Sequence, residues 1–415
     1  MKSKGCMGRQ DGDFLVELLV KMKKHILYIL LLVVVMSFSA TAQKKPYNRI
    51  KFSQHSFVDT VKIKIWNGAV IIPVEINGEV KDMMFDTGSP CGLWIGNEED
   101  WMALSGDSLL VYDAQKTAKT KSFMLFPPMK MGKITIENYP MMVENAIRDY
   151  ICDRFDGIFG YDLVARSLSF KFDTKDSLMI VTDRKRLFSK EEKKRPKLKY
   201  KWYHKTNPKI WVNFPFSRIK MQFDSGSIGG WIDVPENLAI LWGLDDYTVR
   251  RDTTILTDAG FFGNTGDTVS ARTLFFSEVE IGGITLQDMY VSTTDRVMKI
   301  GSAVMEHNSL IINAKKRHLV LLPHDGNTVQ YVGNEDKKDL RFIFADKNDT
   351  LGVMKAVVLK DGEAYKKGIR TGDYLVSING ILITDYCTYR NLFTDSNVKH
   401  FVFRTPEGTR KEVEW

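Results

Sequence analysis

Two stretches of the chain carry the same short-period hydrophobic pattern. Between Val70 and Met84, apolar residues flank the dipeptide Asn77-Gly78. That predicts two strands joined by a tight hairpin, because Asn and Gly tolerate the positive φ such turns need. Ile210 to Gln222 reads the same way, strand, turn and strand. Farther along, Leu168-Ser169-Phe170-Lys171-Phe172 and Leu310-Ile311-Ile312-Asn313 read as further short strands. The pattern predicts a mainly β protein.

Each hairpin runs into a near-identical pentapeptide, Phe85-Asp86-Thr87-Gly88-Ser89 and Phe223-Asp224-Ser225-Gly226-Ser227. Alone, each is an ordinary turn composition, since Asp and Ser bond their own backbone and Gly supplies positive φ. Together they belong to a longer repeat. Trp94-Ile95 and Trp231-Ile232 follow the pentapeptides, and Gly157-Ile158-Phe159-Gly160 and Ile300-Gly301 precede the two final strands. An internal repeat of this length implies two like lobes facing each other.

Paired D-[TS]-G-S motifs on strand-loop-strand units, each with a downstream apolar-Gly element, resemble the retropepsin/pepsin clan of aspartic proteases over residues 56–325. The resemblance implies a two-lobed pepsin/retropepsin-like β-barrel domain with Asp86 and Asp224 as catalytic residues. Thr87 and Ser225 would lock the two loops across the interface, and Ser89 and Ser227 would hydrogen-bond the outer carboxylate oxygens. Gly88 and Gly226 would admit backbone N–H groups to the carboxylates. The chemistry needs two Asp because carboxyls in contact cannot both ionise, so one serves as base toward water while the other, protonated, polarises a carbonyl. No metal or cofactor is called for. Lys299, before Ile300-Gly301, departs from the apolar pattern of the closing element. Flap hairpins are expected around Tyr112 in the first lobe and Phe261-Phe262 in the second, the alternative being plain hairpin packing.

A second resemblance covers residues 345–415. Leu351-Gly352-Val353-Met354, followed by Ala364 to Gly368, Gly372-Asp373 and Ile378-Asn379-Gly380, is similar to a bacterial PDZ domain. That resemblance implies an extended peptide added as a strand to a sheet edge. Its terminal carboxylate would be received at Leu351, Gly352, Val353 and Met354, beside a helix near Thr388–Phe393.

At the N-terminus, Lys21, Lys23 and Lys24 precede the apolar run Ile26–Val35, and Ala40-Thr41-Ala42 offers a small-x-small cleavage site. These features predict a secretory signal peptide within residues 1–42, preceded by a surplus extension that ends before Met22. The expected location is the periplasm or cell envelope, or the extracellular space, with no membrane span after cleavage. Three cysteines then remain, Cys91, Cys152 and Cys387. A Cys91–Cys152 disulfide and a pair of buried free thiols are both left open.

The chain carries a net charge of +8, and residues 1–42 hold six Lys/Arg against three Asp/Glu, leaving +5 beyond them. Much of that lies in residues 183–200, expected to be a solvated basic linker between lobes at 43–182 and 201–325. No interleaved aromatic platform accompanies the charge, so nucleic acid is not an expected partner. The histidines show no paired-ligand spacing, and G-x-S-x-G is absent. The expected function is that of an exported aspartic endopeptidase acting on peptides or proteins, with the PDZ domain binding peptide ends. The alternative is a non-catalytic peptide-binding adaptor on the same scaffold.

Overall fold

The computed structural model describes residues 49–200, 207–255, 260–263, 268–294, 297–333, 340–345, 350–360, 362–393 and 399–414. The expected leader and its cleavage site lie outside them. The described chain is mainly β. Among the described residues no helix is long and apolar enough to cross a membrane.

The first half is built on an eleven-stranded sheet. Ala69–Ile76 and Glu79–Phe85 pair antiparallel from Ile76↔Glu79 to Ile71↔Met84. Asn77 and Gly78 form the turn, with φ of 52° and 85°, as the primed turns that match strand twist require. Strand Gly157–Phe159 then inserts beside Glu79–Phe85 in parallel and beside Gly92–Ile95 in antiparallel. The loop from Asp86 to Cys91 therefore crosses the end of an inserted strand. The eight-stranded sheet of the second half repeats this device, with Lys299–Ile300 between Arg218–Phe223, parallel, and Ile232–Pro235, antiparallel.

Each inserted strand leads through a short helical turn, Asp162–Ala165 or Ser302–Met305, into a further strand. Those two strands, Ser169–Asp173 and Asn308–Asn313, pair with each other in register Phe170↔Ile312 and Phe172↔Leu310. They form the centre of a six-stranded sheet shared by both halves. Phe170 and Phe172 are wholly buried, each with its ring centroid about 5 Å from that of Phe85, the residue before Asp86. The shared sheet thus sits against the base of the first Asp loop.

Residues 183–200 are not a solvated linker. Ser189–Lys194 is a helix whose Glu192 is buried, hydrogen-bonded by Asn313 and paired with Lys316 and His318. Leu198–Lys199 continues the shared sheet along His318–Pro323. Most of its basic residues face water, while Glu192, Phe188, Leu198 and Tyr200 are buried and Arg195 donates to Gly283 O. A pattern of net charge does not reveal such a division.

The C-terminal module has a six-stranded sheet ordered Leu340–Phe344, Met354–Val358, Tyr374–Ile378, His400–Arg404, Arg410–Glu414, with Ile381–Leu382 on the side. Helix Tyr386–Phe393 packs on it through Tyr389 and Phe393 against Phe342. The module is tied to the first half by a Cys152–Cys387 disulfide. Cys91 is free and buried, so neither cysteine arrangement left open by the sequence is the one formed. Tyr150 supports the junction against Phe344 and Tyr386, and Trp66 supports it beneath Arg154 and Arg390.

Candidate active site

The two pentapeptides meet. The amide of Asp86 donates to Phe159 O at 2.9 Å, and the amide of Asp224 donates to Ile300 O at 2.8 Å, so each loop hangs from its inserted strand by the same bond. Between the loops, Thr87 Oγ1 donates to Phe223 O at 2.6 Å and accepts from the Ser225 amide at 3.0 Å. Ser225 Oγ reciprocates, donating to Phe85 O at 2.8 Å and accepting from the Thr87 amide at 3.0 Å. All four hydrogen bonds are buried. Buried donors and acceptors that lose a partner cost about 1–3 kcal/mol each, so the pairing holds the loops in one relative position.

Inside this frame each carboxyl, that of Asp86 and that of Asp224, packs against the glycine of the opposite loop. Gly88 N donates to Asp86 Oδ1 at 2.6 Å, and Gly226 N donates to Asp224 Oδ1 at 3.1 Å. A Cβ on Gly88 would run into the carboxyl of Asp224, and one on Gly226 into the carboxyl of Asp86. Both positions need glycine for space. Burial, then the negative charge of Asp224 and the hydrogen bond to it, push the Asp86 carboxyl well above the usual carboxylate range. The Gly88 amide and Lys299 oppose that shift without cancelling it.

The outer carboxylate oxygens are not served as the sequence led us to expect. Ser89 Oγ donates instead to Cys91 O at 2.7 Å, bracing the loop that leads into strand Gly92–Ile95. Ser227 acts through its carbonyl, which accepts from the amides of Gly230 and Ser302. Asp224 Oδ2 faces Lys299, whose Nζ lies 3.4 Å away and 3.7 Å from Asp233 Oδ2. Lys299 was visible in the sequence only as a departure from the apolar pattern. Asn207, which the pattern did not mark at all, donates from Nδ2 to Gly88 O at 2.5 Å.

Tyr112 lies at the end of hairpin Ala103–Tyr112/Ala118–Leu125 and is 64% exposed. The hairpin tip lacks glycine because Asp113 closes it, accepting from the amides of Gln115 and Thr117 at 2.9 Å; Asx side chains mimic a turn in this way. Phe261 and Phe262 lie in a turn closed by reciprocal Gly260–Gly263 backbone bonds. That turn reaches the first half. Phe262 N donates to Asp113 Oδ2 at 3.3 Å, and Lys119 Nζ sits 4.6 Å from the Phe262 ring centroid. The two candidate flap segments are therefore in contact.

Leu351, Gly352, Val353 and Met354 do not front an open edge. They lie where hairpin Leu340–Phe344/Met354–Val358 turns, with Ala345 N donating to Val353 O at 2.8 Å. The strand they lead into is paired with Leu340–Phe344 on one side and with Tyr374 and Leu375 on the other. Along Met354–Val358 itself both rows of backbone groups are engaged, so a peptide strand has no free edge on that strand. Among the described residues, the end strand of this sheet beside helix Tyr386–Phe393 is Leu340–Phe344. Its alternation of Leu340, Phe342 and Phe344 was the available signal.

Among the described residues no group of three or more His, Cys, Asp or Glu is placed to hold a metal ion. Comparison of the chain with known family models finds no match, and comparison with curated proteins finds none either.

Proposed function

We propose that the chain is an aspartic endopeptidase on a two-lobed pepsin-like scaffold, with a PDZ-like C-terminal module. The observation that carries this reading is the reciprocal packing of the two loops: each carboxyl occupies the space that a side chain on the opposite glycine would fill, which brings the two carboxyls together. A shared proton makes one carboxyl an acid and the other a base in the same place.

Hydrolysis then proceeds by general acid–base catalysis. The ionised carboxyl takes a proton from water as the water oxygen bonds to the scissile carbonyl carbon, while the protonated carboxyl gives its proton to the carbonyl oxygen. In the second step the tetrahedral adduct breaks at the C–N bond. The amine leaves with the proton the base had taken, and the acid recovers its own. Such proton transfers contribute about 10²–10⁴-fold to rate. The exposed Tyr112 and the Phe261-Phe262 turn would lie over a bound peptide, and an added strand along Leu340–Phe344 would hold its end.

The test is cleavage of unstructured polypeptides by the full chain, with a hydroxyl-bearing transition-state mimic of the peptide bond as inhibitor. Cleavage blocked by the mimic and lost in Asp86→Asn supports the reading. Cleavage that persists in folded Asp86→Asn overturns it.

A further inference from the structure

We propose that Lys299 is a positioning residue that keeps Asp224 the ionised member of the pair, so that Asp86 carries the shared proton and Asp224 is the base toward water. This rests on the peptidase reading above and assigns the two roles that reading leaves interchangeable.

Both inserted strands reach the Asp loops in the same way, through Phe159 O and Ile300 O. One residue earlier stand Ile158 and Lys299. Ile158 is buried in the apolar core of the first half. Lys299 is nearly as buried, its side chain 8% exposed, yet it ends in an ammonium. A buried ammonium is costly unless an ionised partner meets it. The charged groups that face it include Asp224 from the loop after Arg218–Phe223 at 3.4 Å, Asp233 from strand Ile232–Pro235 at 3.7 Å, and Asp86 from the first half. Asp224 Oδ2 is nearer to it than Asp233 Oδ2, so ionisation of Asp224 stabilises the ammonium directly. The proton shared by the pair then resides on Asp86, where burial and the charge of Asp224 already favour it.

The attack step is thereby directed. The water O–H bond breaks toward Asp224, the water oxygen bonds to the carbonyl carbon, and the Asp86 proton moves to the carbonyl oxygen. The ammonium also favours each successive ionisation of the pair, so it sets both pH limbs of activity lower than the carboxyls alone would. Asp233 competes with Asp224 for the same ammonium.

The decisive measurement is kcat/KM against pH on one fluorogenic peptide for wild type, Lys299→Met, Lys299→Arg and Asp233→Asn. Loss of the ammonium in Lys299→Met should move both limbs to higher pH by about 1–3 units, the range an adjacent opposite charge commands. Lys299→Arg should keep the wild-type limbs. Asp233→Asn, which frees the ammonium for Asp224, should move them down. A residue that merely fills space changes rates without moving limbs, so unmoved limbs in both Lys299→Met and Asp233→Asn, with Asp86→Asn inactive, overturn the assignment and leave the peptidase reading standing. Wild type without cleavage at any pH overturns the peptidase reading instead. The pair is then judged by thermal stability: Asp224→Asn in the Lys299→Met background should cost less than in wild type, and strict additivity overturns the coupling. If Lys299→Met does not fold, the sign of the Asp233→Asn shift decides.

Discussion

Around Asp86 the loop is enclosed by apolar groups and a second buried acid, with Phe159 and Ile158 on the inserted strand and Asp162 two residues past Gly160. Around Asp224 the same backbone meets Lys299 on the inserted strand, Asp233 beside it, and Ala303 two residues past Gly301. The backbone bonds of the two loops match almost atom for atom, and the side chains that set their electrostatics do not. A repeat can therefore keep its geometry while its halves diverge in charge. Geometry lives in glycines and backbone bonds that tolerate no substitution, whereas charge lives in flanking positions that do.

The largest effect should come from removing either carboxyl. Asp86→Asn and Asp224→Asn should each lower kcat by about 10²–10⁴-fold or more, since general acid and general base are lost in turn. Thermal melts should show both variants folded, because Asn keeps the shape of each side chain. A large loss in one and near-wild-type turnover in the other would break the comparison at its root, leaving one functional Asp and a relic.

The second effect belongs to Asp162, which has no acidic counterpart past Gly301. Burial first of all raises its carboxyl from the usual 3.8 to about 7, opposed by the hydroxyl of Tyr139 at 2.8 Å and the amides of Leu163 and Gly92. A pKa raised on folding gives stability that is fully present below about pH 4 and is lost as pH rises through about 7. At about 1.4 kcal/mol per unit, the window from pH 4 to pH 7 spans about 4 kcal/mol. Asp162→Asn should flatten the dependence of melting temperature on pH across that window. An unchanged slope would place the pH sensitivity elsewhere.

The interlocked hydroxyls test the symmetry that remains. Thr87→Val and Ser225→Ala each leave a buried carbonyl and a buried amide without a partner, two groups at about 1–3 kcal/mol apiece, so each should lower stability by about 2–6 kcal/mol. Because the two hydroxyls brace the same pair of loops, the double variant should cost less than the sum. Denaturant midpoints for both singles and the double measure this. Unequal single effects would show that one half leans on the other.

The parts legible in the sequence are local or repeated. Asn77-Gly78 marked its hairpin because the turn needs positive φ. The Asp loops and their inserted strands were marked because the same run of residues occurs twice. What stayed hidden depends on partners remote in sequence. Glu192 is buried only because Asn313, Lys316 and His318 come to it, and Cys152 finds Cys387 across 235 positions. Ser89 lies in the expected loop, yet its hydroxyl serves Cys91 O, a choice of rotamer that no motif spells out. The strand after Leu351 to Met354 is covered by Leu340–Phe344, a pairing between strands that the local run of residues does not spell out. Lys299 broke a pattern, and a broken pattern does not announce whether it is decay or function.

The smallest effect separates the two hairpin tips. Tyr112 is exposed, while Phe262 rests beside Asp113 and Lys119 of the opposite half. A cation over a ring at a partly exposed site is worth about 0.5–1 kcal/mol, so Lys119→Met should barely change the melting temperature. Phe262→Ala removes the ring itself from the contact, and Tyr112→Ala removes a side chain that the contact does not use. If the joined tips cover bound peptide, both aromatic variants should raise KM while leaving kcat within a few-fold. If the contact merely packs the halves together, Phe262→Ala should lower stability, Tyr112→Ala should do nothing, and KM should stay where it is in both. Steady-state kinetics on a short peptide, read beside melts of the same samples, distinguish these outcomes. Equal KM effects from Tyr112 and Phe262 would mean that the halves, unlike in charge around their carboxyls, act alike at their tips.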